Sequence, residues 1–473
     1  MFKGIMKLYN TLSNEIEEIK LTDNILKIYL CGITVYDDCH IGHARTIIIF
    51  DVLRRLLLSK NIQVLFIQNF TDIDDKIIKR ANVDNTSFDA IAEKYIKSYF
   101  RDFDSLNVTR ASFYPKATEH IEDIVEFIDK LIKKDKAYVG LNGVYYKVRS
   151  FPFYGKLSKK ISESLEAGAR IEIDETKDDP RDFALWKFSS KDPKWNTPWG
   201  TGRPGWHIEC STMAIKYLGN NFDIHGGGQD LVFPHHENEI AQSEGLTDIC
   251  FAKIWLHVGM VTIKTEKMSK SLGNTIKISD LLKKINPNII RLFCLSSHYS
   301  KPLDYSDEII EEMRNKWIQI ENAYYELKYC LDNNIIQTST KDFDFESFKK
   351  DCIDILNEFE FFLENDLNLS NALMSFFKFI DKINFIFAND HGNIEAFDLS
   401  FNFLEKFMFI LGLKVSHVSS EEKEIIQNLI EKRNSYRKNK NYIESDKIRK
   451  EVLTEYGIEL IDHKNFTSWK KVR

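Results

Sequence analysis

The stretch from Cys31 to Arg45, CGITVYDDCHIGHAR, constrains the chain more than any other. Residues 25–30 before it, ILKIYL, form a short apolar run that reads as a buried strand. From Ala44 to Lys60, Ile47, Ile48, Phe50, Val52, Leu53, Leu56 and Leu57 fall at the spacing of a buried helix. A strand therefore ends, a loop turns through Gly32 and Gly42, and a helix starts. In a parallel α/β sheet that junction lies at the carboxyl edge, where ligands bind. The start of a helix there presents N–H groups and partial positive charge to a phosphate.

The loop carries His40-Ile41-Gly42-His43. Two imidazoles three residues apart can both reach a polyphosphate, and Gly42 lets a flat base approach the backbone. Taken alone, HxGH serves equally well as a pair of solvated loop histidines, because short motifs recur by chance.

The rest of the chain supplies context. A second strand, residues 62–70, ends in Thr71-Asp72-Ile73-Asp74-Asp75-Lys76, where Thr71 or Asp72 is expected to cap a helix. Residues 86–106 have helical period. Residues 116–201 break the alternation: a helix at 118–134, a hairpin at 137–148 turning at Asn142-Gly143, residues 170–174, then DPKWNTPWGTGRPGW. This reads as an inserted subdomain.

The α/β pattern resumes with a helix at 206–217 that holds Cys210. A strand at 222–225 then feeds Gly226-Gly227-Gly228-Gln229-Asp230. A helix starting near Pro234 places His235 and Glu239 on one face. Residues 251–259 form another strand, and Lys267-Met268-Ser269-Lys270-Ser271 follows, a cationic loop suited to polyphosphate. Beyond Ser306 dense Phe, Leu and Ile at helical spacing predict a bundle. Near the C-terminus Arg433, Arg437 and Lys440 lie at i, i+4 and i+7, one basic face or a plain solvated one. A hairpin at 457–469 closes the sequence.

Bulk properties narrow the class. A length of 473 residues suits about three domains. The net charge of −6 excludes a globally basic nucleic-acid binder. Residues 421–473 nevertheless hold 13 Lys+Arg against 10 Asp+Glu, a local +3 beside −9 for the remainder. Seven scattered cysteines do not fit a secreted disulfide framework. With no signal-like start and no apolar run of about 18 residues, the expectation is a reduced, cytoplasmic protein without membrane contact.

HIGH at 40–43 and KMSKS at 267–271 together resemble the signature pair of class I aminoacyl-tRNA synthetases. The strings CGITVYD, NFTDIDDKIIKRAN, GRPGWHIECS, FDIHGGGQDLVFPHHENEIAQSE and EKMSKSLGN resemble the cysteinyl-tRNA synthetase family. The likeness runs from near the N-terminus to about residue 310, then more loosely to the end.

The resemblance implies a Rossmann-like parallel-sheet catalytic domain at 1–115 and 202–250 with a connective insertion at 116–201. A KMSKS-containing linker at 251–318, a helical bundle at 319–415 and a small mixed α/β anticodon-binding domain at 416–473 follow. It implies activation of L-cysteine with ATP and Mg²⁺, then transfer to tRNA(Cys). His40, Gly42, His43, Gly227 and Lys270 would bind ATP, with His40, His43, Lys267 and Lys270 catalytic. Thr34, Trp206, His225 and Asp230 would hold the amino acid.

Cys31, Cys210, His235 and Glu239 are a possible zinc set by residue type, though on the residues alone buried cysteines are more often small hydrophobes. The resemblance makes these four the ligands of one Zn²⁺ per subunit, with His236 a neighbour. A metal–sulfur bond would separate cysteine from serine beyond the roughly 1–3 kcal/mol of an apolar pocket. Arg433, Arg437, Lys440 and Trp469 would then meet tRNA, and the chain is expected to be monomeric. A cysteine ligase acting on an amino sugar shares the core but not residues 320–473. A non-catalytic RNA binder needs neither motif.

Overall fold

The computed structural model describes residues 6–21, 24–159, 176–264, 266–267, 275–333, 343–388, 393–415, 419–462 and 467–471. The chain forms two compact units, one of residues 1–306 with 362–369 and one of residues 307–361 with 370–473.

The first unit opens with a hairpin of β1 (Lys7–Asn10) and β2 (Glu15–Glu18). Its centre is a parallel sheet built by β3 (Ile25–Thr34), α1 (Ile41–Ser59) and β4 (Gln63–Thr71). Helices α2 (Asp75–Val83), α3 (Phe88–Ser105) and α4 (Ile121–Lys133) follow. Strands β5 (Ala137–Val139), β6 (Gly143–Tyr146), β7 (Phe183–Phe188), β8 (Trp195–Thr197) and β9 (Gly200–Pro204) make a separate antiparallel sheet. These strands lie within residues 116–201, and residues 170–174 lie outside the described residues.

The chain then returns to the parallel sheet through α5 (Trp206–Leu218), β10 (Phe222–Gly228), α6 (Glu237–Thr247) and β11 (Ala252–Val258). Strand order is β11-β10-β3-β4, all parallel. β3 sends its connection toward β4 and β10 sends its own toward β11, so the order reverses between β3 and β10. That reversal opens a crevice at the carboxyl ends of these two strands. The expected boundary at 250 cuts this sheet; β11 belongs to it through pairing with β10, a partner about 30 residues away that local patterning does not show.

α1 begins earlier than its apolar period suggests. His40 is its N-cap, and its ring accepts a hydrogen bond from His43 N–H at 3.4 Å while His40 N–H donates to His43 Nδ1 at 3.3 Å. The two imidazoles stack with centroids 3.7 Å apart. α2 likewise starts later than expected: Asp74, not Thr71 or Asp72, caps it by accepting from Lys76 N–H at 2.8 Å. Asp72 instead accepts from Thr118 N–H at 3.0 Å.

Beyond β11, β12 (Val261–Ile263) pairs with β13 (Glu266–Lys267) and, after α7 (Ile278–Leu281) and α8 (Pro287–Leu295), with β14 (Leu303–Tyr305). Buried Arg45 of α1 fastens this region. Its guanidinium donates to the carbonyls of Gly259, Met260 and His298 and to Ser297 Oγ at 2.9–3.2 Å.

The second unit holds α9 (Asp307–Asp332), α10 (Phe345–Glu364), α11 (Leu369–Ala388) and α12 (Ile394–Leu411), the last residues of α10 and first of α11 excepted. Phe359, Phe376 and Phe379 pack on Phe407 at 4.6–5.0 Å, so these four are core, while Phe361, Phe385 and Phe409 are exposed. α13 (Ser420–Lys438), α14 (Tyr442–Tyr456) and the hairpin β15 (Ile458–Asp462) and β16 (Thr467–Lys471) complete it.

The basic face expected on α13 does not form. Arg433 is buried, its two Nη atoms each 2.7 Å from an oxygen of Asp462. Arg437 reaches the same carboxylate at 2.9 Å, and Lys440 lies beyond the helix end. Trp469 is also buried and packs beside Tyr325 with centroids 5.7 Å apart, so its ring is held within the unit.

Candidate active site

The crevice between β3 and β10 is walled by backbone at close quarters. A Cβ on Gly32 would sit 1.5 Å from Asn69 O, so only glycine lets β3 and β4 meet there. A Cβ on Gly227 would press on Leu231 at 2.8 Å and on His236 at 2.9 Å, so this glycine makes room for the histidine that faces the crevice.

Four elements deliver the polar cluster. Cys31 comes from the end of β3, Cys210 from α5, His235 from a π-turn at Val232–His236 and Glu239 from the first turn of α6. All four are buried. One donor atom from each lies within 4.8 Å of every other. Cys31 Sγ is 3.3 Å from Glu239 Oε1, and His235 Nε2 is 3.1 Å from the same oxygen. Tetrahedral zinc with bonds of about 2.0–2.3 Å sets ligand–ligand edges of about 3.3–3.8 Å, so the donors fit one ion. Glu239 Oε2 is buried without a hydrogen-bond donor and has the His225 ring at 3.4 Å.

Electrostatics point the same way. Burial pushes the Cys31 thiol up, reinforced by Cys210, while the hydrogen bond from Cys31 brings Cys210 down to about 6. Burial alone would raise Glu239, but His225 and His235 outweigh it and hold the carboxyl at about 2. Burial pulls His235 down; Glu239 and Cys210 more than reverse this, to about 10. Two thiols, an imidazole and a carboxylate confined in one buried space are donors that bind a divalent ion once their protons leave.

Four further histidines lie around these residues. His207 Nδ1 meets His235 Nδ1 at 2.8 Å, which turns His235 Nε2 toward Glu239. His236 Nε2 is 3.3 Å from Cys31 Sγ, and its Nδ1 is 2.7 Å from His257 Nε2. His225 Nε2 is 3.5 Å from Cys31 Sγ, and its ring stacks on Trp255 at 4.4 Å. Cys31, His225, His236 and Glu239 thus make a second donor set around the same space. His207 and His257 were not singled out from sequence. His207 precedes Cys210 by three positions on one helix, a face relation that could have found it.

The remaining sequence candidates fall as follows. Trp206 stacks over His235 at 4.3 Å and is 38% exposed, so it forms the outer wall. Thr34 ends β3 opposite Thr71. Asp230 is exposed on the short turn Gln229–Leu231. His40, Gly42 and His43 sit half-buried at the start of α1. Two of the first N–H groups of α1 are occupied: Ile41 N–H donates to Ile276 O at 3.0 Å and His43 N–H to the His40 ring. Lys270 lies outside the described residues; the backbone of Lys267 pairs with Thr262.

Comparison with known proteins decides the family. The profile described as "tRNA synthetases class I (C) catalytic domain" matches residues 17–315. A "Cysteine--tRNA ligase" of Thermodesulfovibrio yellowstonii is 45% identical over 98% of this chain and 99% of its own. The chain belongs to the cysteine–tRNA ligase family. A second member, from Caldicellulosiruptor saccharolyticus, is 45% identical over 99% of this chain and all of its own. The class I fold extends to more distant synthetases. Mycobacterium tuberculosis methionyl-tRNA synthetase in complex with methionyl-adenylate superposes with a TM-score of 0.62 at 16% identity, over 82% of this chain and 89% of that one. No described helix is long and apolar enough to cross a membrane.

Proposed function

We propose that this chain activates L-cysteine with ATP, forming cysteinyl-adenylate and pyrophosphate, and then transfers cysteine to the 3′ end of tRNA(Cys). The observation that carries the reading is the convergence of Cys31, Cys210, His235 and Glu239 at the strand-order reversal, in the catalytic domain that also carries the HIGH helix start. These four residues would hold one Zn²⁺. Bound there, the ion is a soft Lewis acid that favours a thiolate over a hydroxyl and so separates cysteine from serine.

The protein's own groups do the rest. His40 and His43 contact the ATP phosphates through ring atoms other than the capping Nδ1, and Gly42 and Gly227 leave room for the nucleotide. Trp206 and His225 enclose the amino acid, with Thr34 beside them and Asp230 on its ammonium. The cysteine carboxylate attacks the α-phosphate, and Lys267 and Lys270 stabilise the charge that builds on the departing pyrophosphate with Mg²⁺. A terminal hydroxyl of the tRNA then takes the cysteinyl group. No covalent enzyme intermediate is needed; positioning and electrostatics carry the rate.

The insertion at 116–201, the linker after β11 and the two C-terminal segments serve tRNA, and exposed Arg437 and Lys440 are its phosphate contacts there. The seven cysteines are free, in keeping with a reduced cytoplasmic setting, and the protein acts as a monomer that should sediment as one chain of 55.4 kDa.

The test is ATP-dependent attachment of labelled cysteine to bulk tRNA. Acid-precipitable label that ribonuclease removes supports the ligase. Absence of label with cysteine-dependent ATP–pyrophosphate exchange intact overturns the tRNA acceptor and leaves only activation.

A further inference from the structure

Residues 276–278, five positions past KMSKS in the sequence, are stitched to the entrance of the HIGH helix by residues to which neither motif assigns a role. Residues 276–278 run antiparallel to residues 39–41, which lead into α1. Ile41 N–H donates to Ile276 O at 3.0 Å and Ile278 N–H donates to Cys39 O at 2.9 Å. Between these bonds the Lys277 side chain crosses to the other strand. Its Nζ is 3.1 Å from Asp37 Oδ1 and 3.1 Å from Asp38 Oδ2. Both carboxylates are fixed in turn: Asp38 Oδ1 accepts from Ser98 Oγ of α3 at 2.7 Å, and Asp37 Oδ1 accepts from Asp38 N–H at 2.8 Å.

The residue types are unusual for this place. Two adjacent carboxylates stand two and three residues before His40, on the approach to a site meant for polyphosphate. Left alone they would repel it. One lysine cancels part of that charge and also ties the strand on which it sits to the helix entrance. Lys277 follows Lys270 by seven residues in the sequence. Backbone bonds set the register of the two strands; the ion pair fixes their separation on the side-chain face.

We propose that Lys277, clasped by Asp37 and Asp38, is a positioning residue for the ATP half of the reaction. It acts through the HIGH helix entrance and the segment leaving KMSKS, and it does not act on the metal centre or the cysteine site. The inference rests on the synthetase reading above.

The test is steady-state cysteine-dependent ATP–pyrophosphate exchange by the full chain, with ATP and cysteine varied separately, for the unaltered protein, K277M and K277R. K277M is expected to lose five- to twentyfold in kcat/KM for ATP. Its KM for cysteine, its bound zinc per chain and its melting temperature should match the unaltered protein, and K277R should return to within twofold. A merely structural lysine would move the melting temperature and leave the two substrates equally affected. The inference is overturned if K277M stays within twofold for ATP, if K277R is as impaired as K277M, or if the loss comes with a fall in zinc content or melting temperature. Absence of exchange by the unaltered chain, in contrast, overturns the synthetase reading and this inference with it.

Discussion

Two charged clusters of the molecule, the buried one around Glu239 and the part-exposed one around Asp462, are built on opposite logic. Asp462 is saturated by its own unit. Both of its oxygens receive Arg433, Thr467 Oγ1 adds a bond at 3.0 Å, and Arg437 pairs at 2.9 Å. Glu239 instead shares its crevice with two thiols that are themselves acids, and its Oε2 has no hydrogen-bond donor. One cluster closes on itself and holds a hairpin to a helix. The other leaves donors aimed at a common point, which is how a site prepares for a guest.

Breaking the open cluster should have the largest effect. Cys210→Ala removes one of four donors. Bound zinc should fall from one per chain to under a tenth, measured by atomic emission, and cysteine-dependent exchange should drop at least a hundredfold. Normal zinc content in this variant would show that Cys210 is packing, not a ligand.

Breaking the closed cluster should cost stability and spare activation. Arg433→Ala strands Asp462 part-way into the protein. The expected loss is about 2 kcal/mol, less than for a fully buried pair because Asp462 is partly exposed. This corresponds to roughly 4–8 °C in the melting of the second unit. Exchange, which uses no tRNA, should be unchanged.

The closed cluster also has a pH signature. Burial would raise the Asp462 carboxyl, but Arg433, with Thr467 and Arg437, outweighs this and holds it at about 2. A carboxyl depressed in the folded state stabilises the fold above its unfolded value near 3.9 and loses that contribution as pH falls toward 2. Melting temperature followed from pH 5 to pH 2 should therefore fall less steeply in Asp462→Asn than in the unaltered chain. Identical slopes would mean that the pair contributes nothing.

The smallest effect belongs to Lys440, exposed and past the helix end. Lys440→Ala should change stability by less than about 0.5 kcal/mol in a denaturant titration. Any activity change should appear only in KM for tRNA.

Much of the catalytic unit is legible in the sequence because its information is local. The strand–loop–helix at 25–60 follows from apolar spacing, and the elements carrying the four candidate ligands can be placed one at a time. What is not legible depends on distant partners. Arg433 reads as a surface cation because Asp462 is 29 residues away. β11 reads as part of a linker because its pairing with β10 is a tertiary fact. The early start of α1 depends on a histidine ring acting as cap, a job usually left to Ser, Thr, Asp or Asn. The β1–β2 hairpin escapes notice because each strand has only four residues.

The insertion between β4 and β10 has a consequence in time. Cys31 and Cys210 share one crevice, yet 179 positions separate them along the chain. At ribosomal speeds of about 5–20 residues per second, Cys31 waits on the order of 9–36 s before Cys210 is even made, and longer for His235 and Glu239. Throughout that interval Cys31 lacks the distant partner that stands beside it in the folded chain. Assembly of the cluster is therefore a late event in the birth of the protein.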